Sequence, residues 1–300
     1  MAKWDKEYLK LCQKILDEGV EVENRTGTNT IKIPSYSFTF NLEEEFPVLT
    51  TKQLFFKNAI TELLWIYQVQ SNDVRWLQER GNHIWDEWEI DDDGKWHATQ
   101  MVPNGKGKLV SKKIVKDFGK EWAHTIGTAY GYIVNRYQFT QNLIDKIKNN
   151  PTDRRMIMSL WQDEFLDTAV LPSCVWSSEW DVTDGKLNAW VHQRSCDVPL
   201  GLPFNVTQYA VLLCMIAHVT GLKPGILNWS IKDAHIYVNQ IDGIKEQIKR
   251  GKELEDLPAP TLWLNPEIDD FFKFDNTREL KDIKIENYKH HGKIEFVISQ

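Results

Sequence analysis

The chain has few cysteines, no long apolar run and no excess of positive charge, and each shortage removes a class of protein. Its four cysteines, Cys12, Cys174, Cys196 and Cys214, show neither paired CxxC spacing nor the density of a disulfide-stapled secreted domain, so a reducing cytoplasm is expected. No His, Cys and Asp cluster has metal-ligand spacing, and no catalytic metal is expected. The longest apolar run, Tyr209 to Val219, falls well short of the ~20 residues of a membrane span. The N-terminal MAKWDKEYLKLCQKIL breaks its apolar positions with charges, so it reads as an amphipathic helix rather than a signal peptide. Neither export nor membrane insertion is expected. A net charge of −7 leaves no general basic surface, which disfavours RNA as a partner. Arginines concentrated locally can still hold a small anionic substrate.

What remains is a chain built for a large core. An apolar fraction of 42% with 13 tryptophans excludes disorder over most of the 300 residues, and 26% charged residues keep the surface wet. We expect one catalytic domain over 1–300 with a surface insertion at about 89–124, where DDDG, a PNGKGK turn and a lysine-rich run follow one another. Its lysines suit either a solvated face or contact with an anionic ligand tail. Periodicity predicts helices over Tyr8–Glu18, Phe55–Gln70 and Thr207–Thr220, the last closed by Gly221. Strands are predicted over Thr30–Phe40 and at Asp233–Tyr237, and a hairpin over Ser177–Gln193 around Asp184-Gly185. Pattern by itself gives a mixed α/β class.

Chemistry concentrates in a few stretches. Leu171-Pro-Ser-Cys174 ends an extended connection, and the hairpin can return Arg194 toward Cys174, where a guanidinium favours the thiolate. Cys174 is the candidate nucleophile; the other reading is a small buried residue. Arg25 lies in the turn-forming Asn24-Arg-Thr-Gly-Thr28, either as an anion ligand or as a solvated loop charge. Glu62 sits beside the apolar face of its helix, at the rim or turned inward with a raised pKa. Trp85 and Trp88 are spaced for one helical face, which suits core as well as a ligand wall. Arg154 and Arg155 are a paired fork for an oxyanion or plain surface charges. His218 reads as a core or rim histidine.

The stretches ENRTGT, ELLW, IWDEW, DRR, LPSC, QRSCDVPLGLPFN and DAHIYVNQ occur in the order seen in thymidylate synthases, and nearly the whole chain resembles that family. The resemblance implies a three-layer α/β (α+β) sandwich on a large mixed sheet that also forms a homodimer interface. It implies that the Cys174 thiolate adds to C6 of dUMP and that the base is methylated with 5,10-methylenetetrahydrofolate, giving dTMP. By the same resemblance Arg194 touches both phosphate and thiolate. Arg25 and Ser195 bind the phosphate, and Arg154 and Arg155 reach the phosphate held by the other subunit. Gln193 belongs to the substrate site, and His235 and Tyr237 hold the ribose hydroxyl. Asn205 donates to one ring carbonyl of uracil and accepts from the ring N–H, where related enzymes of deoxycytidylate carry aspartate. A mismatched base would leave a buried polar group unpaired. Tyr130 assists proton removal near the nucleophile and Glu62 organises proton transfer. Trp85, Trp88, Asp197 and Gly201 contact the folate, with Cys196 structural.

Two positions depart from the family pattern. Val175 stands where many members carry histidine, and Gln300 ends a chain that usually closes with a small aliphatic residue. Closure keeps water from the reactive methylene. The alternative activity is therefore a deoxyuridylate hydroxymethylase, in which water attacks that methylene. A catalytically inactive nucleotide- or RNA-binding regulator is the alternative of another class.

Overall fold

A computed structural model of the chain describes residues 1–105 and 108–299. Among the described residues seven α-helices run in order: α1 (Lys3–Glu18), α2 (Phe56–Tyr67), α3 (Arg75–Gln78), α4 (Gly131–Tyr137), α5 (Phe139–Asn149), α6 (Gly201–Thr220) and α7 (Ile241–Glu253). The strands are β1 (Val20–Val22), β2 (Thr30–Asn41), β3 (Lys95–Pro103), β4 (Leu109–Asp117), β5 (Ile157–Ser159), β6 (Val175–Thr183), β7 (Lys186–Gln193), β8 (Cys196–Asp197), β9 (Lys223–Tyr237), β10 (Thr261–Leu264) and β11 (Ile283–Glu286). One mixed sheet takes the order β1-β2-β9-β7-β6-β5, with β8 also on β9; β3–β4 and β10–β11 are separate hairpins.

Local chemistry explains the main boundaries. Asp184 and Gly185 both adopt positive φ, 52° and 69°, so the two-residue turn matches the twist of β6 and β7. Gly221, at φ 71°, stops α6 in the left-handed conformation that a side chain would strain. Helix α1 begins earlier than its periodicity suggests. Asp5 is fully buried and accepts from the amides and hydroxyls of Thr50 and Thr51, which fixes the first turn. Helix α6 begins six residues before the predicted Thr207, so Asn205 lies on its first turns rather than in a loop.

The helix α6 has the length and composition of a membrane span, but it is buried as the central core helix. It packs on β7, β8 and β9 on one side and on α2 and α5 on the other, so sheet, central helix and outer helices stack as three layers. Strands β7 and β9 are parallel and joined through α6, a crossover that parallel pairing demands. That unit positions the site, since ligands gather at the carboxyl ends of such strands. At this end lie Gln193, which closes β7, and the residues up to Asp197 that follow it, His235 and Tyr237 closing β9, and Cys174 just before antiparallel β6. A register shift between Val175 and Ser177 bends β6 next to the cysteine.

The polar stretch at about 89–124 holds regular structure. Lys95 to Asp117 forms a regular nine-pair hairpin, with Lys106 and Gly107 of its PNGKGK turn outside the described residues.

Candidate active site

A cavity of about 880 Å³ opens at the strand ends just described. Its lining includes Cys174, Glu62, Tyr130, Arg194, Ser195, Asp197, Gly201, Asn205, His235, Tyr237, Arg25, Trp85 and Trp88. Gln193 lies buried behind the wall, and Arg154 and Arg155 stand exposed on the turn after α5, away from this lining.

Cys174 is fixed from three sides. Its amide donates to the Tyr130 hydroxyl at 3.0 Å, and its carbonyl accepts from the Arg194 amide at 2.8 Å. Arg194 Nη2 stands 4.0 Å from Sγ, while the guanidinium is anchored by the carbonyls of Pro172 at 2.7 Å and Ser173 at 3.0 Å. Burial pushes the Cys174 thiol up, and the guanidinia of Arg194 and Arg25 only partly offset it. Desolvation is thus the larger influence on the thiol, and the two guanidinia and the Tyr130 hydroxyl oppose it.

The acid on α2 is turned inward. Glu62 is 8% exposed; Trp85 Nε1–H donates to Oε1 at 2.7 Å and Gln208 Nε2–H donates to Oε2. Burial holds its carboxyl above the usual carboxylate range against those two donors. Asp197 is also pushed up by burial, opposed by donors from Gln240 at 3.1 Å and the Leu200 amide at 3.1 Å. Burial raises the Tyr130 phenol well above its ordinary value, so it stays a neutral donor or acceptor.

The Asn205 carboxamide belongs to a chain of oriented side chains. Trp229 donates to Gln193 at 3.0 Å, Gln193 donates to Asn205 Oδ1 at 3.0 Å, and Asn205 donates to Gln208 at 3.3 Å. Gln208 ends that chain on Glu62, so amide orientation and acid orientation are one network. Elsewhere in the lining His235 pairs with Asp233 at 3.0 Å and stands edge-on to Tyr237, ring centres 5.2 Å apart. Hydrogen bonds from His235 and Lys32 draw the Asp233 carboxyl down to about 2. Trp85 and Trp88 meet edge to face at 5.4 Å, Trp85 buried and Trp88 half-buried. Val175 adds a buried apolar patch.

A family profile described as Thymidylate synthase matches residues 6–300. The chain belongs to the thymidylate synthase family. It is 45% identical over 299 residues to the thymidylate synthase of Clostridium beijerinckii, covering all of both chains. It is 36% identical over 318 residues to that of Bacillus phage phi3T, again end to end. Among solved structures, the thermostable thymidylate synthase A from Bacillus subtilis superposes with a TM-score of 0.80 at 36% identity, over 98% of this chain and 99% of that one. The fold is the thymidylate synthase sandwich, and the chain is a methyltransferase. The hydroxymethylase alternative loses ground to these matches, and Gln300, on which it leaned, lies outside the described residues.

Several site residues escaped the sequence reading. Gln208 follows Asn205 by three positions on α6, a same-face spacing that could have flagged it. Gln240, Trp96, Gln100 and Lys52 carried no comparable signal. Gln240 is buried and donates both to Asp197 and to the Val297 carbonyl at 3.2 Å, tying the C-terminal segment to the acid. Burial lowers Lys52 to about 8, and its ammonium lies 4.7 Å over Phe296 of the same segment. Among the described residues no group of three or more His, Cys, Asp or Glu could hold a metal ion.

Proposed function

We propose that the chain converts dUMP to dTMP, with 5,10-methylenetetrahydrofolate as one-carbon and hydride donor. One observation carries the reading: the Cys174 thiol, two raised carboxyls, the Asn205 carboxamide and the Trp85 indole face a single cavity. Cys174 loses its proton and adds to C6 of the pyrimidine, with Arg194 stabilising the developing thiolate. Asn205 has an N–H and a lone pair left after its bonds to Gln193 and Gln208, enough to pair with one carbonyl and the N–H of uracil. Gln193 sets that carboxamide's orientation. Arg25, Arg194 and Ser195 take the phosphate, and His235 and Tyr237 the ribose hydroxyl.

Trp85, Trp88 and Gly201 frame the folate ring, and Asp197 accepts its N–H protons. Glu62, neutral more readily than an exposed carboxyl, moves protons between the pyrimidine carbonyl and the folate nitrogen. Tyr130 assists proton removal beside Cys174. Val175 together with Ile298 at the cavity mouth keeps the wall apolar where water must be excluded.

The working form is a homodimer, with Arg154 and Arg155 donated to the phosphate site of the second copy. Their exposure outside the chain's own cavity supports this, as does the outer sheet face, where Trp176 and Trp190 are 37% and 51% exposed. The free cysteines, with Cys12 and Cys214 pushed up to about 12, suit a cytoplasmic protein. Incubation with dUMP and 5,10-methylenetetrahydrofolate, followed by mass spectrometry, tests the reaction. The expected products are dTMP and dihydrofolate; hydroxymethyl-dUMP with tetrahydrofolate would overturn the assignment.

A further inference from the structure

Arg25 sits on a turn with its own internal bracing. Asn24 Oδ1 accepts from the Thr26 amide at 2.8 Å and hydroxyl at 2.6 Å, and Asn24 Nδ2 donates to the Thr28 carbonyl at 2.8 Å. Those bonds set the shape of the turn but not its position over the cavity. The β1–β2 pairing and the Val238 amide, which donates to the Asn29 carbonyl at 2.9 Å, fix the base of the turn, and the β3–β4 hairpin holds the Arg25 end. The Met101 amide in β3 donates to the Arg25 carbonyl at 2.7 Å, and a Cβ on Gly27, at φ 77°, would stand 3.2 Å from Met101 Cγ.

The hairpin is itself anchored. Trp96 Nε1 donates to the Glu87 carbonyl at 3.1 Å, inside the Trp85 to Trp88 segment, and Asp91 Oδ1 accepts from the amides of Asp93 and Lys95 at 3.0 and 2.8 Å. Trp96 and Gln100 line the cavity. The hairpin thus runs from the aromatic wall to the arginine turn. In an antiparallel pair, alternate amides of an edge strand face away from the partner strand, and the Met101 amide is one that faces out, to Arg25.

We infer that the β3–β4 hairpin is a positioning element for nucleotide recognition: through the Met101 amide it holds the Arg25 turn over the cavity, where the guanidinium meets the phosphomonoester. The inference rests on the reading of Arg25 as a phosphate ligand. Arg25 also draws the Cys174 thiol downward, so a displaced turn would weaken both binding and thiol activation.

Met101→Pro removes this one donor, since proline is tolerated where a strand amide points away from its ladder. Purified Met101→Pro, Met101→Ala and Arg25→Ala variants are titrated with dUMP and with deoxyuridine, which differ only in the phosphate. The expected result for Met101→Pro is a dUMP affinity reduced roughly 3- to 10-fold, the worth of one net hydrogen bond, with deoxyuridine affinity unchanged. Met101→Ala, which keeps the amide, binds both ligands as the parent does, and Arg25→Ala loses dUMP selectively and by more. Unchanged dUMP binding by Met101→Pro, equal weakening of both ligands, or an equal loss in Met101→Ala overturns the brace. An Arg25→Ala variant without selective loss overturns the reading of Arg25 instead. Hydrogen exchange of residues 95–103 in the parent protein gives a second readout that needs no variant. Coupling is reciprocal, so dUMP slows exchange at Met101 and deoxyuridine does not; equal protection by the two sinks the proposal.

Discussion

Gln208 joins Asn205, proposed to read the base, to Glu62, proposed to carry protons, and replacing it separates the two effects. Gln208→Met keeps side-chain length and helix propensity while deleting the donor to Glu62 Oε2 and the acceptor for Asn205. A hydrogen bond to a charged group contributes about 1.5–3 kcal/mol, so the Glu62 carboxylate loses about that much relative to its protonated form. Glu62 is already held above the usual carboxylate range by burial, and the variant pushes it further in the same direction. On the acid side of the pH profile of kcat/KM, where protonated Glu62 dominates, activity then falls by about 10- to 100-fold, and the gap closes at alkaline pH. Stability follows the same sign. A carboxyl that keeps its proton more tightly when folded opposes folding as it ionises, so that penalty is absent at pH below the unfolded glutamate value and grows as pH rises through the native one. Denaturant midpoints of parent and variant should therefore diverge from pH 4 toward neutrality. A loss of activity equal at every pH, with midpoints that differ by a constant amount, would refute the assignment of Glu62 as the titrating group.

Three further outcomes are expected. Asn205→Asp replaces an amide that can both donate and accept; kcat/KM for dUMP should fall on the order of 10⁴-fold while deoxycytidylate gains, as read by competing the two nucleotides. Gln240→Leu cuts the link between Asp197 and the Val297 carbonyl, so the folate KM should rise about 10-fold with the dUMP KM unchanged; a matched rise in both would show only general loosening. Trp190→Glu places charge on the exposed sheet face and should shift sedimentation from dimer to monomer with loss of activity; an active monomer would contradict the shared site.

What the sequence determined by itself was whatever depends on neighbours in the chain. The Asp184-Gly185 turn, the Gly221 stop and the apolar faces of α1 and α2 follow from local dihedral freedom and from period, and each stands close to where those rules put it. The motif residues around Cys174, Arg194 and Asn205 were legible because the β6–β7 hairpin returns the chain from Cys174 to Arg194 and α6, which carries Asn205, follows soon after, so they are near in sequence as well as in space. Only the tertiary structure decided the rest. The β3–β4 strands were hidden because their polar, lysine-rich residues give a weak alternation, and what anchors β3 on the rest of the fold is a pair of long-range contacts, Trp96 to the Glu87 carbonyl and the Met101 amide to the Arg25 carbonyl. The direction in which the Cys174 thiol is shifted was unreadable for a different reason: the sequence names the arginine beside it, whereas the opposing and larger effect is burial, which exists only once the cavity has formed.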